Sequence, residues 1–521
     1  MGFEQRQRQW RWRWCAVVFM VMITITLSAS DTNTKQVSRI AFGSCSNQNA
    51  PQPIWNAVLD FNPQIFIWLG DNIYGDIKRP FKLFGRERTI GPWKNAPRFI
   101  PSSEEEMEAK YRKAKSNLGY AKLKENAEVI GTWDDHDYGL NDAGKEFHRK
   151  IINQKLLLDF LDEPQDSPRR KQAGVYASYK HGPPGRDVQI ILLDTRYHRD
   201  PLGSDGTILG NSQWSWLERE LKGSSAAITI IGSSIQVISN LSATVQPLFS
   251  MESWAHFPRE RDRLFKLIAD SKRGGVFFIS GDVHFGEITR YDCAVDYPLY
   301  DVTSSGVTQS VEGVVPPFLH FLVRFVAWLT PSTMRVKSPN CRHKSCVYGQ
   351  PNFGTIEIDW DSHPVTLKLK VRDKNGVAVT SINTSLVELQ ASNSEDSVKV
   401  GHDRRHCNLE VSLPWIIRYR LAILVSIILV GEPIQSGDLI YEISYAGVEA
   451  PPATFLHDLC EESSCPVPVG HFLLTHTELL PTVTPPGTYN VKLTFKNQND
   501  KQLSCIIFPF KIGAGSSVSA I

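Results

Sequence analysis

Short unbroken apolar runs recur along the chain, and each leads directly into polar residues. Ile65-Phe66-Ile67-Trp68-Leu69 runs through Gly70 to Asp71 and Tyr74. Val129-Ile130-Gly131-Thr132-Trp133 leads into Asp134, Asp135, His136 and Asp137. Val276-Phe277-Phe278-Ile279 passes through Ser280 and Gly281 to Asp282 and His284. Ile40-Ala41-Phe42 precedes Cys45, and Val188 to Leu193 precedes Asp194 and Arg196. Runs of this kind predict strands buried on both faces of a sheet. Residues just past the carboxyl ends of such strands line the ligand crevice of an α/β protein. One crevice lined by a Cys, a Tyr, a His pair and several Asp is therefore expected.

Helical patterns separate these runs. Asn211 or Ser212 caps a helix with Trp214, Leu217 and Leu221 on one face. Pro258 opens another, with Leu264, Leu267 and Ile268 spaced for burial. The charged stretch from Glu104 to about Asn126 predicts a solvated helical excursion. Val311 to Arg335, rich in Phe, Leu and Trp, predicts a core or lid helix, with membrane contact as the weaker option. From Gly354 to Asp373 apolar and polar residues alternate, as in half-buried antiparallel strands. Residues 37–390 thus form a main α/β block, and 391–412 read as a polar linker.

Residues 413–430 are apolar but carry Arg418 and Arg420, and only Leu421 to Val430 is uninterrupted. That is too short to cross a bilayer unaided. A marginal span, an interfacial helix and a damaged anchor all remain open. Residues 431–515 form a smaller β-rich unit, in which Pro485-Pro486-Gly487 marks a turn.

At 521 residues the chain is too long for one ordinary domain. A formal net charge of +2 gives no support for nucleic-acid binding. Residues 1–30 combine Arg6, Arg8, Arg11 and Arg13 with a short apolar core and a small-residue stretch. They predict a secretory signal peptide, or failing that a signal anchor. Sequons at Asn240 and Asn383 agree with a luminal route. Cys341 and Cys346, and Cys460 and Cys465, are each five apart and suit small disulfide loops in that compartment. Cys293, Cys407 and Cys505 have no obvious partner.

The crevice residues carry the chemistry. Asp71, at a Gly-Asp step, is the best candidate to bridge two cations, and Tyr74 can reach the same centre. Phenolate with thiolate from Cys45 favours Fe(III) over Mg²⁺. Carboxylates alone suit Ca²⁺, Mg²⁺ or Mn²⁺. Asp282 and His284 alternate on an extended segment, so both can point to one side. His136 can bind metal or protonate a leaving oxygen. Arg196 can clamp a phosphate or make a structural ion pair. Together these residues suit metal-assisted displacement at phosphorus by activated water or hydroxide.

Gly43-Ser44-Cys45, Gly70-Asp71-Asn72-Ile73-Tyr74, Trp133-Asp134-Asp135-His136-Asp137, Leu193-Asp194-Thr195-Arg196 and Ser280-Gly281-Asp282-Val283-His284 resemble the motifs of PhoD-type alkaline phosphatases. The resemblance implies the calcineurin-like metallophosphatase architecture, a four-layer α/β/β/α sandwich. It implies phosphomonoester or phosphodiester hydrolysis with Fe(III) and Ca²⁺. By motif, Cys45, Asp71, Tyr74, Asp135, Asp282 and His284 become metal ligands, and His136 a proton donor or transition-state stabiliser. Two positions depart from the pattern. Asn72 stands where an aromatic residue is common, and Ser253-Trp254-Ala255 lacks an Asp that many bacterial members carry.

The C-terminal block, through His457-Asp458-Leu459-Cys460 to Cys465 and Pro485-Pro486-Gly487-Thr488-Tyr489, is similar to ML (MD-2-related lipid-recognition) domains. That implies an immunoglobulin-like β-sandwich holding a lipid. The likeness begins near Gly431, so a partial sandwich is expected, without its opening strands and an early cysteine. The combined expectation is a secretory-pathway phosphoester hydrolase with a membrane association. The alternative is a catalytically silent lipid-binding or scaffold protein.

Overall fold

The computed structural model describes residues 35–78, 99–201, 206–239, 252–314 and 334–390, with isolated positions between 317 and 327. In the C-terminal part it describes 420–429, 435–445, 452–458, 470–479, 487–497, 499, 502–512 and 519–520. The signal segment 1–30 and the Cys460–Cys465 loop lie outside the described residues. The chain divides into two units, Met1–Val411 and Ser412–Ile521.

The first unit contains β1 (Arg39–Gly43), β2 (Ile65–Leu69), β3 (Ile77–Lys78), β4 (Phe99–Ile100), β5 (Glu128–Thr132), β6 (Ala177–His181) and β7 (Val188–Leu192). It continues with β8 (Ile228–Ser233), β9 (Val276–Ser280), β10 (Gly286–Tyr291), β11 (Leu299–Ser304), β12 (Asn352–Asp359), β13 (Thr366–Asp373) and β14 (Ala378–Ser385). Two six-stranded sheets run in the orders β14-β13-β12-β1-β2-β5 and β10-β11-β9-β8-β7-β6. The apolar runs form the parallel sets, β1-β2-β5 running to one edge of the first sheet and β7-β8-β9 in the interior of the other. The alternating segment supplies the antiparallel strands β12 and β13.

The sheets pack face to face. A Cβ added at Gly232 on β8 would lie 3.1 Å from Leu69 of the opposite sheet. Phe42, Ile67, Leu69, Ile190, Leu192 and Ile230 share one continuous core. Helices Gly210–Lys222 and Pro258–Ser271 add Trp214, Leu217, Leu264 and Ile268 to it, as their spacing predicts. Helices Ile54–Phe61, Glu104–Lys115, Leu118–Asn126 and Lys150–Phe160 bury Trp55, Met107, Tyr120 and Leu157 with Phe66 and Trp68 of β2. The result is the expected α/β/β/α sandwich.

One expectation changes here. The charged stretch 104–126 is two helices of the outer layer rather than a solvated excursion. Ser103 accepts a bond from Glu106 N and opens the first, and Asn117 accepts from Gly119 N and Tyr120 N to start the second. Met107, Tyr111, Tyr120 and Leu123 are buried. Full burial contributes about 1.5–3 kcal/mol for a side chain of Met size. Few apolar residues at helical spacing suffice to dock a highly charged helix.

The second unit contains β15 (Arg420–Leu429), β16 (Gly437–Tyr445), β17 (Ala453–Asp458), β18 (Gly470–Leu479), β19 (Gly487–Asn497), β20 (Gln502–Ile512) and β21 (Ser519–Ala520). They form a five-stranded sheet, β17-β16-β19-β20-β21, and a pair, β15-β18. Leu439 and Tyr441 on β16 oppose Phe495 and Leu493 on β19, and all four are buried on one face. Residues 420–429, expected to lie in or on a membrane, are instead a strand. All ten pair with β18, from Arg420↔Leu479 to Leu429↔Gly470. Residues 413–419 and 430 lie outside the described residues. Among the described residues no helix is long and apolar enough to cross a membrane.

Cys341 and Cys346 form the expected disulfide, with Cα atoms 5.1 Å apart. Cys293, which spacing leaves without a partner, is also disulfide-bonded. Cys45 is free and buried.

Candidate metal centre

The loops after β1, β2, β5 and β9 meet at one end of the sandwich. Cys45 N donates to Gly70 O at 3.4 Å, Ser46 N to Asp71 O at 2.8 Å and Gly75 N to His136 O at 3.0 Å. Asp137 binds two of these loops together. Its carboxylate accepts from Asp134 N at 2.6 Å, Asn72 N at 3.1 Å and Asp71 N at 3.3 Å. Gly70 permits the crossing. At φ 96°, a Cβ there would lie 2.4 Å from Asp134 Cβ. Gly70→Ala is expected to destabilise the protein by on the order of 3 kcal/mol through strain plus overlap. Urea denaturation measures this, and an unchanged midpoint would show that the two loops can separate freely.

Cys45, Asp71, Asp282 and His284 all hold positive φ, at 61°, 50°, 67° and 61°. None is glycine, so each costs about 1–2 kcal/mol. Asn62, Asp142, Asp162, Lys272 and Cys346 share this conformation elsewhere, but at the ends of β1, β2 and β9 it sets donor directions before a ligand arrives.

Two groups of donor atoms share Asp71. Cys45, Asp71 and His284 offer atoms within 4.8 Å of one another, and so do Asp71, Asp135 and His136. One Asp71 oxygen lies 3.5 Å from Cys45 Sγ, and the other accepts from His136 N at 3.3 Å. Tyr74 Oη is 3.1 Å from His284 Nε2, which places it beside the first group. Asp282 is drawn in differently: its carbonyl, 3.8 Å away, faces the Cys45 thiol. Its carboxyl is in neither group.

The electrostatics call for a cation. Burial, reinforced by Asp71, pushes the Cys45 thiol well up. Burial also pushes up Asp71, where His136 opposes it and Asp135 and Asp134 add to it. Asp282 rises through burial with Asp134 and Asp135. Tyr74 rises through burial, then Cys45 and Asp71. Crowded anionic donors resist ionisation until positive charge joins them. Thiolate, phenolate, imidazole and carboxylate together suit a trivalent or transition metal beside a harder cation. The donor set therefore fits the implied metals.

His136 stands at the second group. Its Nδ1 is 2.8 Å from Asp76 Oδ1, and its ring packs against Tyr74 at a tilt of 36°, with centroids 4.3 Å apart. Burial opposes its charge, but Asp135, Asp71 and Asp76 together raise its pKa well above the ordinary value. Asp76 was not expected in the site. It follows the Gly-Asp step by five residues, and only folding brings it to His136.

Of the two roles open to Arg196, the structure shows the ion pair. Arg196 is fully buried, and its Nε donates to Asp134 Oδ1 at 2.6 Å. Its Nη1 pairs with Glu252, which Arg199 also contacts at 3.1 Å. Arg196 is thus the structural ion pair, and it positions Asp134. Glu252 was missed by sequence reasoning, although it is adjacent to the Ser253-Trp254-Ala255 stretch that lacks the bacterial Asp. It forms a third group with Asp135 and Asp142.

The family model for PhoD-like phosphatases matches residues 40–320, and the ML domain model matches 405–512. The ML match thus starts before Gly431 and includes β15. Alkaline phosphatase D of Bacillus subtilis is 27% identical over 189 residues, covering 30% of this chain and 30% of that protein. A phosphatidylglycerol/phosphatidylinositol transfer protein of Mycosarcoma maydis is 35% identical over 63 residues, covering 11% of this chain and 33% of that protein. The aligned segments thus span about a third of these relatives. A solved structure of PhoD aligns over 68% of this chain and 70% of its own, at 15% identity and a TM-score of 0.47.

Proposed function

Since the chain belongs to the PhoD-like phosphatase family, with more than half its length matched, we propose that it is a metal-dependent phosphoester hydrolase. The sharing of Asp71 between two buried donor groups carries this reading. Cys45, Asp71, Tyr74 and His284 would hold Fe(III), and Asp71 and Asp135 a Ca²⁺ or similar cation. When bound, the metals would polarise the phosphoester and supply a nucleophilic water at neutral pH. Asp71 holds the two groups in register. His136, kept charged by Asp76 and its other carboxylate neighbours, donates a proton from its ring to the leaving oxygen. Arg196 and Glu252 fix Asp134 beneath the site and touch no substrate.

Purified full-length protein should contain iron and hydrolyse a generic phosphodiester. A visible tyrosinate-to-iron band lost in Tyr74→Phe supports that ligand, and an iron-loaded protein without the band removes it. Asp76→Asn is expected to lower kcat/KM about 10²-fold. The sign of its pH effect follows from the charges. Removing the Asp76 carboxylate lowers the His136 pKa, so the proton is lost at lower pH and the alkaline limb of the rate profile moves down. An unmoved limb excludes His136 as the donor.

The ML unit adds a lipid, of the phosphatidylglycerol or phosphatidylinositol class, as the second partner. A secretory location accords with this domain and with the Cys341–Cys346 disulfide. Lipid co-purifying with a protein that turns over no phosphoester would instead favour the catalytically silent carrier.

A further inference from the structure

One lysine of the highly charged helix Glu104–Lys115 turns inward. Lys110 Nζ donates to Gly75 O at 2.5 Å, to Ser102 Oγ at 2.8 Å and to Asp76 O at 3.3 Å. An ammonium has three donors, and these contacts use all of them. Burial lowers the Lys110 pKa, while Asp76 and Glu106 pull it back up. A cation leaves water at a cost, and here main-chain carbonyls offset that cost.

The carbonyls belong to a short segment that carries two groups of the site. At one end is Tyr74. Its N donates to Gln48 Oε1 at 2.9 Å and its O accepts from Gln48 Nε2 at 3.3 Å, so one side-chain amide holds both main-chain groups. At the other end is Asp76, whose Oδ1 meets His136 Nδ1 and whose Oδ2 accepts from Asn141 N at 3.0 Å. Between them Gly75 is pressed from two sides. A Cβ there would overlap Met107 Sδ and lie 2.5 Å from His136 O. Met107 and Lys110 are three apart, so one face of the helix bears on Gly75 from the side away from His136.

We propose that Lys110 is a positioning residue: it holds the Gly75–Asp76 main chain so that the Asp76 carboxylate meets the His136 ring. The geometric half of this stands by itself, and the catalytic half rests on the phosphoester reading with His136 as proton donor. When the P–O bond breaks, its electron pair passes to the leaving oxygen, which takes the His136 proton. The attacking water gives one proton to solvent and its hydroxyl to phosphorus, and the spent imidazole recovers a proton from solvent. A misplaced donor therefore harms poor leaving groups most, because an alkoxide needs that proton and a para-nitrophenolate does not.

The test uses the full chain with nitrogen-labelled histidine. The His136 Nδ1 proton held by Asp76 should give a downfield resonance, assigned by its loss in Asp76→Asn. Lys110→Met keeps side-chain length and helix propensity, and should shift or broaden that resonance in a protein that still unfolds cooperatively in urea. Hydrolysis is read in parallel on ethyl para-nitrophenyl phosphate and diethyl phosphate. Lys110→Met should lower kcat about tenfold or more on diethyl phosphate and no more than about twofold on the aryl ester, with KM unchanged. Lys110→Arg keeps a cationic donor and should recover most of both signals. Arg112→Met, exposed on the same helix and paired with Glu108, is the control and should change neither. If Lys110→Met does not fold, Lys110→Gln, neutral and too short to reach both carbonyls, is read in its place. An unmoved resonance in the variant, or a parent without any Asp76-dependent resonance, overturns the proposal. A raised KM on both esters at unchanged kcat makes Lys110 a substrate contact and overturns it too. Equal loss of kcat on both esters ends the catalytic half alone. If the parent hydrolyses neither ester, the phosphoester reading falls, and the resonance still decides the positioning.

Discussion

Asp71→Asn is expected to lose phosphoester hydrolysis by about 10³-fold or more in kcat/KM, with metal content falling in parallel. Removing one preorganised electrostatic group commonly costs about 10²–10³-fold. Asp71 exceeds that because it belongs to both donor groups. Asparagine suits the test. It tolerates the left-handed backbone found here at φ 50° and keeps the side-chain shape, so the change is one of charge. It also relieves a carboxyl that burial already disfavours in ionised form, so folding stability should be kept or raised. Activity and stability therefore part company. Asp137→Asn is the contrast: its oxygens accept three backbone N–H groups and reach no donor group, so it should lose stability first. If Asp71→Asn retains both full metal and full activity, the centre lies elsewhere.

What was legible in the sequence was the part encoded by period. Apolar runs marked β2, β5 and β9 as strands of the parallel sets, although β5 lies at the edge of its sheet, and the residues after them then had to converge. By period alone Cys45, Asp71, Asp135, His136 and His284 were placed at one crevice, where their donor atoms form two groups. The partners that tune them were not. Asp76 and Glu252 sit in loops with no periodic signal, and their contacts with His136 and Arg196 span 60 residues or close only across the fold. For Arg196 the sequence leaves two roles open, because a guanidinium at a strand end looks alike whether it meets phosphate or carboxylate, and the fold supplies the carboxylates. The segment Leu421 to Val430 was misread. Ten residues, nine of them apolar, are too few for a span yet ample for a strand, and length alone should have favoured β15.

Arg196→Leu should cost about 3–5 kcal/mol of folding stability, the range for breaking a buried pair from one side. Arg196 is fully buried between Asp134 and Glu252, each 2% exposed or less. Leucine would leave Asp134 with the Ser234 hydroxyl at 2.8 Å and Glu252 with Arg199 alone. Asp134 shows how much the pairing matters: burial lifts its pKa to about 6 even while Arg196 pulls it down. Without that pull the carboxyl rises further. The stability lost is then greatest at high pH, where Asp134 must stay ionised, and smaller at pH values where it can take up a proton. Denaturation of variant and parent across that range reads the slope directly. Arg196→Lys should recover only part of the loss, since an ammonium cannot serve two carboxylates with the planar fork. A phosphate clamp predicts the reverse, namely a raised KM on an unchanged denaturation midpoint. That result would return Arg196 to the substrate and leave Glu252 as the residue whose burial needs another cation.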